Sequence, residues 1–356
     1  MSKRSGTAWA RSMARVMGKV GQQLMQAQTR AVTKTVGKAV GQAVSRQAGA
    51  LTAPLRKRAA AKKRAAARLA AAAGRWITGV AVAAACARRW RLYIPPGLLA
   101  GARPPLLVLL HGCGQDAEAF AAVTAMHRVA DRGGFLVLFP EQDRLANAQG
   151  CWNWFDTDHG RAQAEADAVL AAIDQVCARR ADRQRVVVAG LSAGAGLAAL
   201  LALRHPQRLC GVVMHSGVPP GTAHTPLTAL AAMRGRRATA AIDLSAGTVL
   251  PPLLVVHGSL DGVVSSRNAE AAVQAWAAAG GASAGAPRRV QRGKRLPMQV
   301  TDFRHGRLVV ATLAEVQGLG HAWSGGGAGL PFSDPNGPDA SRLVWAFAQR
   351  VFDRAT

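Results

Sequence analysis

From about residue 88 onward, short apolar runs alternate with longer stretches of helical periodicity. The runs near 89–94, 106–110, 135–139, 185–190, 210–215 and 252–257 are mostly unbroken, which is the pattern of strands covered on both faces. Between them, alanine-rich stretches near 116–132, 162–180, 193–204 and 267–279 read as helices. Strand and helix in alternation predict an α/β fold with a mostly parallel sheet and helices on both faces. A last pair of runs, 298–303 and 308–316, precedes a C-terminal helix at about 339–353. The stretch from Pro219 to Pro251 has weak strand character and several turn residues, and is expected to be either a cap or an ordinary excursion between strands.

Candidate chemistry falls at the ends of these runs. Gly190-Leu191-Ser192-Ala193-Gly194 follows Val186-Val187-Val188-Ala189 and opens a predicted helix, so a G-x-S-x-G pentapeptide stands in a strand-turn-helix context. Such an elbow holds its serine on a strained turn, and its glycines are required because a Cβ there would strike the neighbouring strand or helix. An activated serine needs a base, and the base an orienting carboxylate. Asp261 lies just beyond the run Pro252–His257, and His321 lies beyond the run 308–313 in a Gly-rich loop. Ser192, Asp261, His321 is the chain order of the α/β-hydrolases. In an open parallel sheet the carboxyl ends of the strands carry the site, where all three are expected. The second requirement is a pair of backbone N–H groups for the oxyanion, and the residue after the nucleophile, Ala193, together with Cys113 in His111-Gly112-Cys113-Gly114-Gln115, is the candidate pair. His111, His205, His215 and His224 are read as structural.

Several spaced motifs now carry a family resemblance. H-G-C-G-Q at 111–115, Phe139-Pro140-Glu141-Gln142, Cys151-Trp152-Asn153-Trp154-Phe155, G-L-S-A-G, Ser216-Gly217-Val218-Pro219 and Gly320-His321-Ala322-Trp323-Ser324-Gly325-Gly326 resemble the polyhydroxybutyrate-depolymerase-type esterases over roughly Arg88 to Phe352. The resemblance implies a serine esterase acting on poly- or oligo-3-hydroxyalkanoates, with Ser192, Asp261 and His321 as its triad and no cofactor. The same superfamily also resembles feruloyl and acetylxylan esterases, so a carbohydrate esterase is the alternative, and a noncatalytic granule- or membrane-binding protein is the rival of another class. Cys113 and Cys151 are either reduced or bridged, and the resemblance favours the bridge. Trp152, Trp154, Phe155 and Trp323 follow loop residues and flank the predicted site, which suggests a flat apolar platform for substrate.

Composition adds a basic arm. Of the 45 Lys and Arg, 21 precede the first acidic residue, Asp116, whereas the remainder sets 24 basic residues against 19 acidic ones. Residues 1–87 are therefore expected to be a basic, helical or disordered extension, and 88–356 the catalytic domain. Within the arm Trp9, Met13, Val16, Met17, Val20 and Leu24 recur at helical spacing among Arg11, Arg15 and Lys19, and Lys62-Lys63-Arg64 close the charge run. A basic amphipathic helix suits an anionic membrane or polymer-granule surface. Scarcity of aromatic residues in the arm argues against nucleic acid. No run of 18 apolar residues and no continuous apolar stretch in the first twenty predict neither a membrane span nor a standard secretory signal, leaving a cytoplasmic or granule-associated location open beside the extracellular one that the resemblance implies. Five cysteines with no C-x-x-C or His/Cys ligand spacing point to no metal site.

Overall fold

The computed structural model describes residues 59–245 and 247–354, and the compact unit that carries the site runs from Ala61 to Thr356. The expected helix over residues 9–24 lies outside the described residues. Among the described residues, the centre of the unit is a sheet of eleven strands in the order β1-β2-β4-β3-β5-β6-β7-β11-β10-β8, with the short β8 (Ser283–Ala284) at one edge and β9 (Arg288–Val290) paired to β10 (Met298–His305). Its parallel core consists of β4 (Leu136–Pro140), β3 (Leu106–Leu110), β5 (Val186–Leu191), β6 (Gly211–His215), β7 (Leu253–Gly258) and β11 (Leu308–Val316). Every residue of β3, β4, β5, β6 and β7 is buried, which is why those segments read as unbroken apolar runs.

Helices cover both faces. They are α1 (residues 59–70), α2 (Ala117–Thr124), α3 (Met126–Gly133), α4 (Arg161–Arg179), α5 (Ala193–Arg204), α6 (Pro226–Met233), α7 (Arg267–Ala279) and α8 (Ala340–Phe352). The expected helix 116–132 is broken at Ala125, which is left-handed at φ 47°. The carbonyls before the break are claimed from elsewhere: Gly327 N–H donates to Val123 O at 3.0 Å and the Ser341 hydroxyl to Thr124 O at 2.6 Å. The stretch 219–251 contains α6, whose last carbonyls accept bonds from the Asn268 side chain and the Ser265 amide, so it packs on the start of α7.

The fold also starts earlier than residue 88. β1 (Arg75–Val82) is antiparallel to β2 (Ala87–Ile94) along all eight residues and forms one edge of the sheet. Ahead of it, Ala65 and Leu69 of α1 enter the core with Leu330, Trp323 and Val344, while Arg64 and Arg68 donate to the carbonyls of Gly329 and Ala328. The sequence sets the boundary too late because β1 buries only Ala81 of its eight residues, and α1 buries only its narrow Ala65–Leu69 stripe beneath a charged face. Among the described residues no helix is long and apolar enough to cross a membrane.

Candidate active site

The parallel strands converge on the site at their carboxyl ends. Ser192 sits between β5 and α5 at φ 56°, ψ −119°, a conformation that side-chain-bearing residues rarely adopt. A Cβ on Gly190 would stand 2.2 Å from Gly194 O, and one on Gly194 would stand 2.3 Å from Leu110 O. Both glycines are thus demanded by close backbone approach, the second of them against the end of β3. His321 Nε2 lies 3.0 Å from Ser192 Oγ, and its Nδ1 lies 2.8 Å from Asp261 Oδ2. Three side chains separated by up to 129 residues meet in one relay.

Asp261 is held on both oxygens. Its Oδ1 accepts the amides of Val263 and Val264 at 2.9 and 2.8 Å, leaving Oδ2 for His321. Burial by itself would raise this carboxyl, but the His321 hydrogen bond and charge, with the two backbone amides, outweigh it and keep the group below the ordinary carboxylate range. His257, four residues earlier, donates from Nε2 to Val264 O at 2.9 Å and lies 3.6 Å from Asp261 Oδ2, closing the same turn. Burial lowers the His257 pKa.

The Ala193 and Cys113 amides have no acceptor among the described residues. Ala193 is the first residue of α5, where an amide has no partner within the helix, and so both N–H groups are available to a developing negative charge. Cys113 and Cys151 are disulfide-bonded. Their loops are further tied through His111: its Nε2 accepts the Gln142 amide at 3.0 Å, so Nδ1 bears the proton and donates to Gly112 O at 2.9 Å. Burial pulls the His111 pKa down to about 4, in keeping with a neutral bracing ring.

Trp152, Trp154, Phe155 and Trp323 are not a substrate platform. Trp152 and Trp323 are fully buried, and Trp154 and Phe155 nearly so. The Trp152 indole N–H donates to His111 O at 3.1 Å, Trp154 packs against Gly196 of α5, and Trp323 donates to Ser341 Oγ and stacks on His215. Loop residues flanking a site can themselves be core, because long loops wrapped around a sheet end bury their own large side chains. Placement in a loop therefore misdirected the reading of all four.

Sequence reasoning also missed the polar brace beneath these loops. Buried Glu165 of α4 accepts from Gln142 Nε2 (2.7 Å), Asn153 N (2.8 Å) and Asn153 Nδ2 (2.7 Å), and pairs with buried Arg88 at 3.2 Å. Burial raises the Glu165 pKa against the opposing pull of those donors and Arg88. A glutamate in the apolar stripe of α4 (Ala162, Glu165, Ala166, Val169) was the available signal. Across the site His215 accepts the Ser324 amide at 3.2 Å and fixes the chain beyond His321; burial, with the nearby His257 and His321, lowers its pKa to about 3.

Residues 88–295 match the family described as Esterase PHB depolymerase. The chain belongs to that esterase family. It is 33% identical to a poly(3-hydroxyalkanoate) depolymerase C of Paucimonas lemoignei over 193 residues, 51% of this chain and 46% of the relative. It is 29% identical to feruloyl esterase B of Neurospora crassa over 131 residues, 36% of this chain and 44% of that protein. It thus spans a little under half the length of these relatives. Among solved structures, an acetyl xylan esterase from Aspergillus awamori superposes with a TM-score of 0.52 at 19% identity, covering 66% of this chain and 89% of that one, which speaks for a shared α/β-hydrolase fold. Among the described residues no cluster of His, Cys, Asp and Glu could hold a metal ion.

Proposed function

We propose that this chain is a serine carboxylic-ester hydrolase working through an acyl-enzyme, with oligo- or poly-3-hydroxyalkanoates as its ester class. The observation that carries the reading is the relay Ser192–His321–Asp261, at 3.0 and 2.8 Å, beside two amides without acceptors. In this mechanism His321 Nε2 takes the Ser192 proton as Oγ attacks the ester carbonyl, and the amides of Ala193 and Cys113 receive the oxyanion. Asp261 holds the Nδ1–H and stabilises the imidazolium. His321 then returns its proton to the leaving alcohol, and the cycle repeats with water to release the acid. No cofactor enters these steps. The polyester reading is supported by the depolymerase relative and by Leu260 and Val263, exposed on either side of Asp261 as an apolar rim.

The feruloyl esterase relative supports a second reading, a carbohydrate esterase. A hydrolysis panel of 3-hydroxybutyrate oligomers, methyl ferulate and acetylated xylan separates the two. Labelling by a fluorophosphonate, lost in Ser192→Ala, tests the activated serine whatever the substrate; an unlabelled wild-type protein would leave the noncatalytic surface-binding alternative standing.

A further inference from the structure

A cationic loop stands beside the turn that carries His321. β9 (Arg288–Val290) and β10 (Met298–His305) are joined by residues 291–297. Because β10 is antiparallel to β11 and Met298 pairs with Val316, this loop lies at the carboxyl ends of the parallel strands, the end that holds Ser192, Asp261 and His321. It is docked there. Gln317 N–H donates to Pro297 O at 2.9 Å, Leu296 N–H donates to Asn336 O at 2.9 Å, and the Leu296 side chain reaches Gly318, three residues before His321. The Arg295 guanidinium is held by the carbonyls of Gly337 at 2.6 Å and Pro335 at 3.5 Å.

The charge of this loop is left uncompensated. Arg289, Arg292 and Lys294 are exposed, and neither they nor Arg295 pairs with a carboxylate among the described residues. The adjacent Asp302 is taken by Arg288 and Arg304. Asp339, two residues beyond the Gly337 carbonyl that holds Arg295, is taken by Arg342, which leaves Glu315, next to Gln317, and Asp334, which accepts the Asn336 amide. Four cations against two carboxylates make a positive margin on the active-site end of the sheet. Four strand spacings separate β5 from β10, about 20 Å at ~4.8 Å each. A short acyl group on Ser192 cannot span that distance, but a chain of several ester units can.

We propose that Arg289, Arg292, Lys294 and Arg295 form a subsite for a free carboxylate borne by an oligomeric ester whose scissile carbonyl lies at Ser192. The subsite rests on the esterase reading and adds the charge of the substrate to it. Each hydrolysis of a hydroxy-acid polyester leaves a carboxylate on one fragment, so the groups that would bind here are made by the reaction itself. A uronate on a polysaccharide ester presents the same chemistry. Attraction at such an exposed site acts over about 10 Å at 0.1 M salt and is largely screened at 1 M.

The test compares wild type with an R292E/K294E variant of the full chain on three substrates at low and high salt. These are a 3-hydroxybutyrate tetramer with a free carboxylate, the same tetramer as its methyl ester, and p-nitrophenyl butyrate. At low salt the wild type should favour the free acid over its methyl ester in kcat/KM, and the variant should lose that preference by about three- to tenfold. Salt at 1 M should erase the difference. Turnover of p-nitrophenyl butyrate should stay within twofold of wild type, showing a folded, working enzyme; no turnover by either protein would instead strike at the esterase reading itself. Equal preference in the two proteins, or no wild-type preference at low salt within either the tetramer pair or the xylan pair, overturns the subsite. Acetylated glucuronoxylan beside acetylated neutral xylan identifies the source: a charge preference confined to the xylan pair assigns the carboxylate to a uronate and overturns the oligoester end as the ligand.

Discussion

At the scale of the residue, the site depends on two kinds of group, those that exchange protons and those kept neutral around them. Ser192→Ala removes the nucleophile and should lower p-nitrophenyl butyrate turnover by on the order of 10⁴ or more while the fold persists. Asp261→Asn should cost on the order of 10⁴ in kcat if this carboxylate fixes the His321 tautomer; a loss below tenfold would assign the role to another acid. The buried histidines predict a pH response of stability. His111 and His215 are lowered to about 4 and about 3 by burial, whereas in the unfolded chain each takes up a proton near 6.5. Between about pH 6.5 and 4 the unfolded state therefore binds more protons than the native one, and stability falls as pH falls, by about 1.4 kcal/mol per unit for each fully effective histidine. Thermal melts across that window should show the midpoint dropping with acid. A flat midpoint would mean that these rings accept protons inside the fold.

At the scale of the element, the loops over the sheet end act as a unit. The Cys113–Cys151 bridge closes a separation of 38 residues, for which loop-closure entropy predicts about 4 kcal/mol. Reduction, or Cys113→Ser with Cys151→Ser, should lower the melting temperature and, because Cys113 supplies a proposed oxyanion amide, activity as well. Free alkylation of both thiols in unreduced protein would contradict this. Helix α1 makes a second prediction. Its Arg64 and Arg68 hold the carbonyls of Gly329 and Ala328 in the loop after His321, and Leu69 covers the core. Deleting residues 1–58 should leave soluble-ester turnover nearly unchanged, but deleting 1–73 should lower both stability and turnover. Equal melting temperatures for the two truncations would show that α1 contributes nothing to the catalytic unit.

At the scale of the whole molecule, charge is distributed unevenly. Residues 1–115 contain 21 Lys and Arg and no acidic residue, within a chain of net charge +26. The full-length protein should adsorb to anionic vesicles or polyester granules more strongly than a protein lacking residues 1–58, and the difference should shrink as salt rises, since surface attraction is screened beyond about 10 Å at 0.1 M. Cosedimentation of both proteins at 0.05 and 0.5 M salt measures it. Equal adsorption would reduce the arm to a solvated extension.

Much of the plan was legible because it depends on local patterns. Unbroken apolar runs mark strands buried on both faces, and helices 193–204 and 267–279 end where their periodicity ends. The elbow glycines mark Ser192, and chain order with strand-end placement marks Asp261 and His321, since loops beyond parallel strands must gather at one end of the sheet. What remained illegible depends on partners distant in sequence. Ala125 breaks a helix because Gly327 and Ser341 take its neighbours' carbonyls, over 200 residues away. Trp152 and Trp323 are core because loops fold over them, and no neighbour in the chain reports that burial. β1 and α1 join the unit through β2 and the 328–330 loop, although α1 has the composition of the arm and β1 buries only Ala81. The chemical types and their order were thus written in the sequence, while the accessibility of each side chain and the edges of the domain were decided by tertiary structure, because burial and long-range hydrogen bonding arise only once the chain has closed on itself.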